Sequence, residues 1–378
     1  MMTKKPASGV VWQVAHYLVG LQRLGYEPYY VEAHASTPTW FIDSKDDDGS
    51  AGAAAFIAGV MKRFGLGDRW AFHALHSDGL CYGMSLTKLQ ALYASADLII
   101  NLHGATVPLP EHAATGRLIF LETDPVELQI ELYENSPQAV EYLQPHVAFF
   151  TFGENYGNPS CKLPVDERFH FLPTRQPVVL DLWQGREAGP RDAFTTIGNW
   201  QQLGREVVYQ GETYYWSKHL EFLKFLDVPA LTGQRFELAL GKFEDADREL
   251  LEGHGWRVRS AYDLTMNIDT YRDYIEGSRG EFTVAKDQNV RLNTGWFSDR
   301  SATYLAAGRP VITQETGFSE ILPTGDGLFS FKTAEDVRQA VEAINGDYDR
   351  HSRAAYEVAR DYFNYDVVLK PLLEHMGM

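Results

Sequence analysis

Apolar side chains at Val11, Val14, Leu18 and Leu21 recur at helical spacing, so residues 10–24 read as an amphipathic helix closed by Gly25. Residues 28–32 follow as a strand. The pattern then repeats: a helix over 86–93, a strand over 97–101 with the loop 102–106 at its carboxyl end, and a strand over 117–121. Helix signals over 125–134 and a strand over 146–152 continue it. Alternation of strand, loop and helix predicts a parallel α/β architecture. A doubly wound domain needs a strand ahead of its first helix, and residues 1–8 hold no apolar run to supply one. Either the chain is short at its start, or the first domain's sheet lacks that strand, a central one whose absence should cost stability.

Residues 173–183 read as extended, and 184–192, rich in Gly, Pro and charge, as an interdomain linker. The second half restarts with strands over 193–197, 235–240, 256–258 and 280–285 and helices over 216–226 and 271–276. Helices over 335–344, 353–363 and 367–376 close the chain. The Ala-rich patch 51–58 reads as plain helix. The expected division is a first domain over 1–183, a second over 193–355, and closing helices over 356–378 that cross back to the first.

The segment 295–331 is the most informative. Ser298 and Asp299 are good N-caps for a helix ending at Gly308. A buried strand over 311–313 leads to the loop Gln314-Glu315-Thr316-Gly317-Phe318. A helix N-terminus beside a flexible loop suits a phosphate-bearing ligand, because free N–H groups and the helix dipole face the anion. The carboxyl ends of strands are also where open α/β sheets bind ligands. Glu315 can accept from sugar hydroxyls, and Gly317 lets backbone approach a diphosphate. Arg300 and Ser301 are candidate phosphate ligands, as are Arg279 and Lys286 flanking the strand that carries Glu281. Asn199 lies in the loop after the strand over 193–197, a connection expected to face the cleft, and Trp216, Ser217 and Lys218 open the next helix. His103 is the best-placed imidazole for a general base on an acceptor hydroxyl, with Glu122, Asp124 and Glu154 competing for that role and Arg175 near the hinge. For each of these the plain structural alternative is a cap, a core aromatic or a surface charge.

Composition narrows the classes. A chain of 378 residues with 44% hydrophobic content can build two domains. A net charge of −17 disfavours nucleic acid and anionic membranes. Two cysteines make neither a disulfide framework nor a zinc site, and no apolar run approaches a membrane span. A cytoplasmic setting is expected. The motifs G-x-G-x-x-G after a first strand, G-x-x-x-x-G-K-[ST] and G-x-S-x-G are absent, which weakens dehydrogenase, P-loop and α/β-hydrolase readings. No D-x-D follows a convincing strand in the first half, so a donor site without metal is expected.

Gly308-Arg309-Pro310-Val311-Ile312, Gly317 with Glu320-Ile321, and Gly325-Asp326-Gly327-Leu328 together resemble the donor half of the GT-B glycosyltransferase superfamily. Residues 9–32 resemble its first helix and second strand. The resemblance implies two Rossmann-like α/β domains facing across a cleft, a nucleoside diphosphate sugar as donor and co-substrate, a small-molecule or glycan acceptor, and no further cofactor. The implied donor site comprises Asn199, Trp216, Lys218, Arg279, Glu281, Lys286, Ser298, Asp299, Arg300, Ser301, Thr316, Gly317 and Phe318, with His103 and Glu315 catalytic. The chain departs from the superfamily's motifs. The E-x7-E pair of the retaining branch falls on Gly295 and Thr303, and of HCGWNS-x-x-E only Gly295-Trp296 and a nearby Ser remain. A GT-B sugar-nucleotide epimerase and a non-catalytic nucleotide-sugar-binding protein are the alternatives.

Overall fold

A computed structural model describes residues 1–33, 36–184 and 192–378. Most of the linker expected over 184–192 lies outside the described residues.

In the first half, β1 (Tyr30–Ala33) pairs in parallel with β2 (Trp70–His73), and β3 (Cys81–Tyr82) adds antiparallel to β2. A separate parallel sheet holds β4 (Ile99–Leu102), β5 (Leu118–Glu122), β6 (Ala148–Thr151) and β7 (Phe171–Pro173) in that order. Among the described residues β1 and β4 have no common partner. Among the described residues no strand lies between β1 and β4, so the first-half sheet is divided in two.

The second half opens with β8 (Ala193–Asn199) and a hairpin, β9 (Val207–Tyr209) with β10 (Glu212–Tyr214). Then come β11 (Arg235–Gly241), β12 (Arg257–Ser260), β13 (Gly280–Thr283), β14 (Val311–Gln314) and β15 (Leu328–Phe331). These form one parallel sheet in the order β12-β11-β8-β13-β14-β15. Its strands are nearly continuous in buried residues, as parallel strands covered on both faces must be. One face buries Phe194, Phe236, Trp256, Phe282 and Phe331, with Phe282 and Phe331 stacked at 5.3 Å. The strand expected over 280–285 ends at Thr283, and the helix expected over 216–226 is a short turn, His219–Phe222, run on as 3-10 helix. The hairpin was not legible as such, because residues 207–214 hold only three residues on each side of a Gln210-Gly211 turn.

Two helices join the halves. Ser8–Arg23 buries Trp12 against Trp183 from the end of the first half and against Tyr271 and Ile275 of the second. Its Trp12 Nε1 donates to Ile268 O at 3.0 Å. The last helix, Tyr365–His375, places Leu369, Leu372 and Leu373 in the first-half core beside Ile119 and Phe150. No described helix is long and apolar enough to cross a membrane.

Candidate active site

The carboxyl ends of β5 and β13 face each other across the cleft, and their loops meet there. Lys286, just past β13, donates from Nζ to Asp124 Oδ1, just past β5, at 2.7 Å. Its ammonium lies 3.0 Å from the Trp216 ring centroid, while the Arg205 guanidinium carbon lies 3.8 Å from the same ring. Trp296 closes the other side: its Nε1 donates to Thr123 O at 2.9 Å, and both Lys218 and Lys286 lie 5.8 Å from its ring. Lys5, from the segment before the first helix, completes the group, since it interacts with Lys242, Asp124 and Asp299.

Burial dominates the electrostatics. It drives the Lys218 ammonium well below the ordinary lysine range, and the charge of Arg300 adds to that. It lowers Lys286 to about 8, against the opposing pull of Asp124. Two desolvated cations without a full complement of anions are a site that gains from an arriving anion. Asp299, at the N-terminus of the helix Asp299–Ala306, is raised by burial, against the opposing charge of Arg300.

Beneath this floor Arg300 is held rather than free. Its Nε donates to Glu281 Oε1 at 2.6 Å, Nη1 to Ile197 O at 2.5 Å and Nη2 to Thr283 Oγ1 at 2.9 Å. Burial pulls its pKa down, and Glu281, Tyr271 and Tyr304 together reverse this, leaving it raised. Arg300, expected to clamp a diphosphate, has its guanidinium engaged in fastening β8, β13 and its own helix together. Glu281 is fully buried as its counter-ion. Ser301 is fully buried and its Oγ has no partner, and Ser298 is buried at the cap. Arg279, the other expected phosphate ligand, lies apart from this group. It stands at the amino end of β13, where Nε and Nη2 donate to Asn345 Oδ1 and the side chain stacks on Tyr348, so it faces away from the cleft. Phe318 packs edge-on against Phe297 in the core and offers no polar contact.

The turn after β14 is built around one carboxylate. Glu315 Oε1 accepts from Gly317 N at 2.7 Å and from Ser319 N at 3.4 Å. The Gly317 amide is therefore committed within the turn, and what this glycine provides is space. Its φ is +97°, and a Cβ there would stand 2.9 Å from Asn155 Nδ2 and 3.0 Å from Asn293 Cγ. Thr316 fixes the loop before the helix: its Oγ1 donates to Trp296 O at 2.7 Å and its carbonyl accepts from Gly295 N at 2.6 Å. Asn199 ends β8 opposite Gly241, where a Cβ would meet its Oδ1 at 2.8 Å. The first-half loop after β6 sits on this region. Asn155 N donates to Thr294 O at 3.0 Å, and Ser160 Oγ to Glu320 Oε2 at 2.8 Å.

His103, the expected base, is held at Thr123. Its Nδ1 meets Thr123 Oγ1 at 3.0 Å and its Nε2 is buried without a partner. Burial pushes the imidazole down to about 3, and the chain's amino group adds to that. Of the competing carboxylates, Glu122 is enclosed by Gln129 and Thr151 and raised to about 8 by burial. Glu154 is buried against Arg175. Asp124 alone of the three is open to the cleft, 38% exposed. Lys5 and Arg205 carried no signal in the sequence; only the fold brings them to Lys286 and Trp216. Among the described residues no three His, Cys, Asp or Glu side chains gather into a metal-binding group.

No family model matches the chain, and no curated protein matches it in sequence. Solved structures do share its fold. Anabaena HepE, determined with UDP and glucose, aligns over 92% of this chain and 98% of its own at a TM-score of 0.53 and 12% identity. AviGT4, a glycosyltransferase involved in avilamycin A biosynthesis, aligns over 97% of this chain and 88% of its own at 0.50 and 13%. The GtfA/B complex aligns over 77% of this chain at 0.46 and 15% identity, and the chain spans 59% of that structure's length. With parallel α/β sheets in both halves and a polar cleft between them, the chain has the fold of the GT-B glycosyltransferases.

Proposed function

We propose that the protein transfers a sugar from a nucleoside diphosphate sugar to a small-molecule or glycan acceptor, without a required metal. The observation that carries this reading is the pair of desolvated lysines, Lys218 and Lys286, flanked by Trp216 and Trp296 at the carboxyl edge of the second sheet. In the proposed reaction the bond from the anomeric carbon to the diphosphate oxygen breaks and a bond to the acceptor oxygen forms. Lys218, Lys286 and the N-terminus of the helix Asp299–Ala306 stabilise the leaving diphosphate. Asp124, released from Lys286 when phosphate takes its place, accepts the acceptor's proton. Glu315 keeps the turn at Gly317 in shape beside the donor sugar. HepE, which shares the fold, is known with UDP and glucose, so UDP and its sugars are the first ligands to test.

Calorimetric titration with UDP, GDP and dTDP, and then a product assay with the sugar nucleotide that binds, alone and with acceptors, tests the reading. Binding with transfer to acceptor is expected. Release of an epimerised sugar without acceptor would replace transfer by epimerisation, and absence of binding by any of the three would overturn the donor site.

A further inference from the structure

We propose that Gln129 is a positioning residue for Asp124: its amide clasps both ends of the loop Thr123–Val126 and so aims the Asp124 carboxylate at Lys286. This loop of four residues joins β5, which ends at Glu122, to the helix Glu127–Tyr133. Gln129 stands in the first turn of that helix and is fully buried. Its Oε1 accepts from Val126 N at 2.7 Å, the reach-back of a capping glutamine. That bond leaves its Nε2 for the other end of the loop, where it donates to Glu122 Oε1 at 3.1 Å and Oε2 at 2.9 Å. Thr151 Oγ1, on the neighbouring strand β6, donates to the same carboxyl at 2.6 Å. Capping alone would be served equally by a glutamate. Bridging to Glu122 needs an acceptor at one end of the side chain and a donor at the other, which an amide supplies.

The clasp has strain to hold. Val126 has φ +114° and ψ −62°, an outlying conformation for a β-branched residue. Its side chain is fully buried in a cluster with Leu292, Tyr209 and Tyr214 of the second half. The loop therefore meets the second half at three points. Thr123 O accepts from Trp296 Nε1, and Asp124 accepts from Lys286. Val126 shares its cluster with Leu292, the last residue of the helix Asp287–Leu292 that Lys286 precedes. Among the described residues the Asp124 carboxylate accepts no hydrogen bond from its own loop. Its direction is set by the backbone that Gln129 fixes.

The kinetic consequence rests on the reading of Asp124 as the acceptor's base, and the geometric one does not. The test compares Gln129→Met, which fills similar space without either bond, with Gln129→Glu. The glutamate keeps the acceptor for Val126 N, and at about pH 6 it can take the proton of Glu122, which burial holds up to about 8. Lys286 is followed by NMR in protein labelled with 13C-lysine and assigned with Lys286→Met. It is faced by Asp124, with Arg205 and Lys5 as the opposing cations. In Gln129→Met it is expected to titrate at least about half a pH unit lower, because its counter-ion has turned away. The kcat for transfer should fall at least about 10-fold, with donor KM and UDP affinity within about 3-fold of the parent. Gln129→Glu should restore both kcat and the Asp124 contact at about pH 6.

An unchanged Lys286 titration in Gln129→Met would overturn the assignment, whatever happens to activity. A lowered titration with kcat intact would uphold it and remove Asp124 as the base instead. If Gln129→Met does not fold, Gln129→Asn, too short to reach both ends of the loop, gives the same readout with the same two outcomes.

Discussion

Lys286 and Asp124 come from opposite halves of the chain and meet at 2.7 Å, with the lysine pressed on the face of Trp216. The pair bridges the two halves, and its cation is the one that the proposed diphosphate would claim. Lys286→Met is expected to weaken UDP binding by roughly 10- to 100-fold, the scale of a charge-assisted hydrogen bond of about 1.5–3 kcal/mol. Uridine, which lacks phosphate, should bind both forms alike. Equal losses for the two ligands in titration would take Lys286 out of phosphate recognition.

Depressed lysines make the binding pH-dependent in a definite sense. Lys286 sits at about 8 and Lys218 is also lowered, both chiefly by burial. A bound diphosphate favours their charged forms, so binding takes up protons and affinity falls as pH rises through about 8. Calorimetry in buffers of different ionisation enthalpy should report net proton uptake at pH 8. No uptake, or tighter binding at pH 9 than at pH 7, contradicts the assignment.

Arg300 should behave as a structural residue. Removing it strands the fully buried Glu281, whose Oε2 already has no partner. Arg300→Ala is expected to cost about 3–5 kcal/mol in urea unfolding, and the paired change Arg300→Met with Glu281→Leu far less. A stable Arg300→Ala protein with a selective loss of diphosphate binding would return Arg300 to the phosphate role.

Glu122 gives the first half a stability slope. Burial raises its folded value to about 8, above that of the unfolded chain. The folded state holds the proton that the unfolded state has lost, so stability declines from about pH 5 and the contribution is gone above about pH 8. Glu122→Gln should flatten this. Urea midpoints of the two proteins that run parallel across that range would show that Glu122 is not the source.

Gly295→Ala should destabilise more than Gly317→Ala. Both positions have positive φ, at +78° and +97°, for which a side chain costs on the order of 1–3 kcal/mol. A Cβ at Gly295 would also lie 2.5 Å from the backbone N of Asn155, whereas at Gly317 the nearest atoms belong to side chains. Denaturant midpoints rank the two, and the reverse order would mean that the Asn155 loop yields easily.

The sequence was legible where one physical signal was enough. Apolar strands such as β8, β11 and β14, and the helix capped at Ser298, follow from local pattern, and so does the lack of a strand before the first helix. The site was legible only by position. Lys218, Lys286 and Trp216 follow strand ends and do reach the cleft, but the same rule admitted Arg279, which stands at the opposite edge of its sheet. Whether a cation is free or consumed depends on partners remote in the chain. Arg300 is consumed by Glu281 and Ile197, and Lys286 finds Asp124 at a separation of 162 residues. Composition and spacing carry no record of those distances.

Asn155 has one further consequence. It rests against two positions, Gly295 and Gly317, that carry no side chain, and its loop is the seam along which the halves touch. How closely that loop approaches the second half is therefore set by two omitted methyl groups. A single added carbon at either would act as a shim between that loop and the second half.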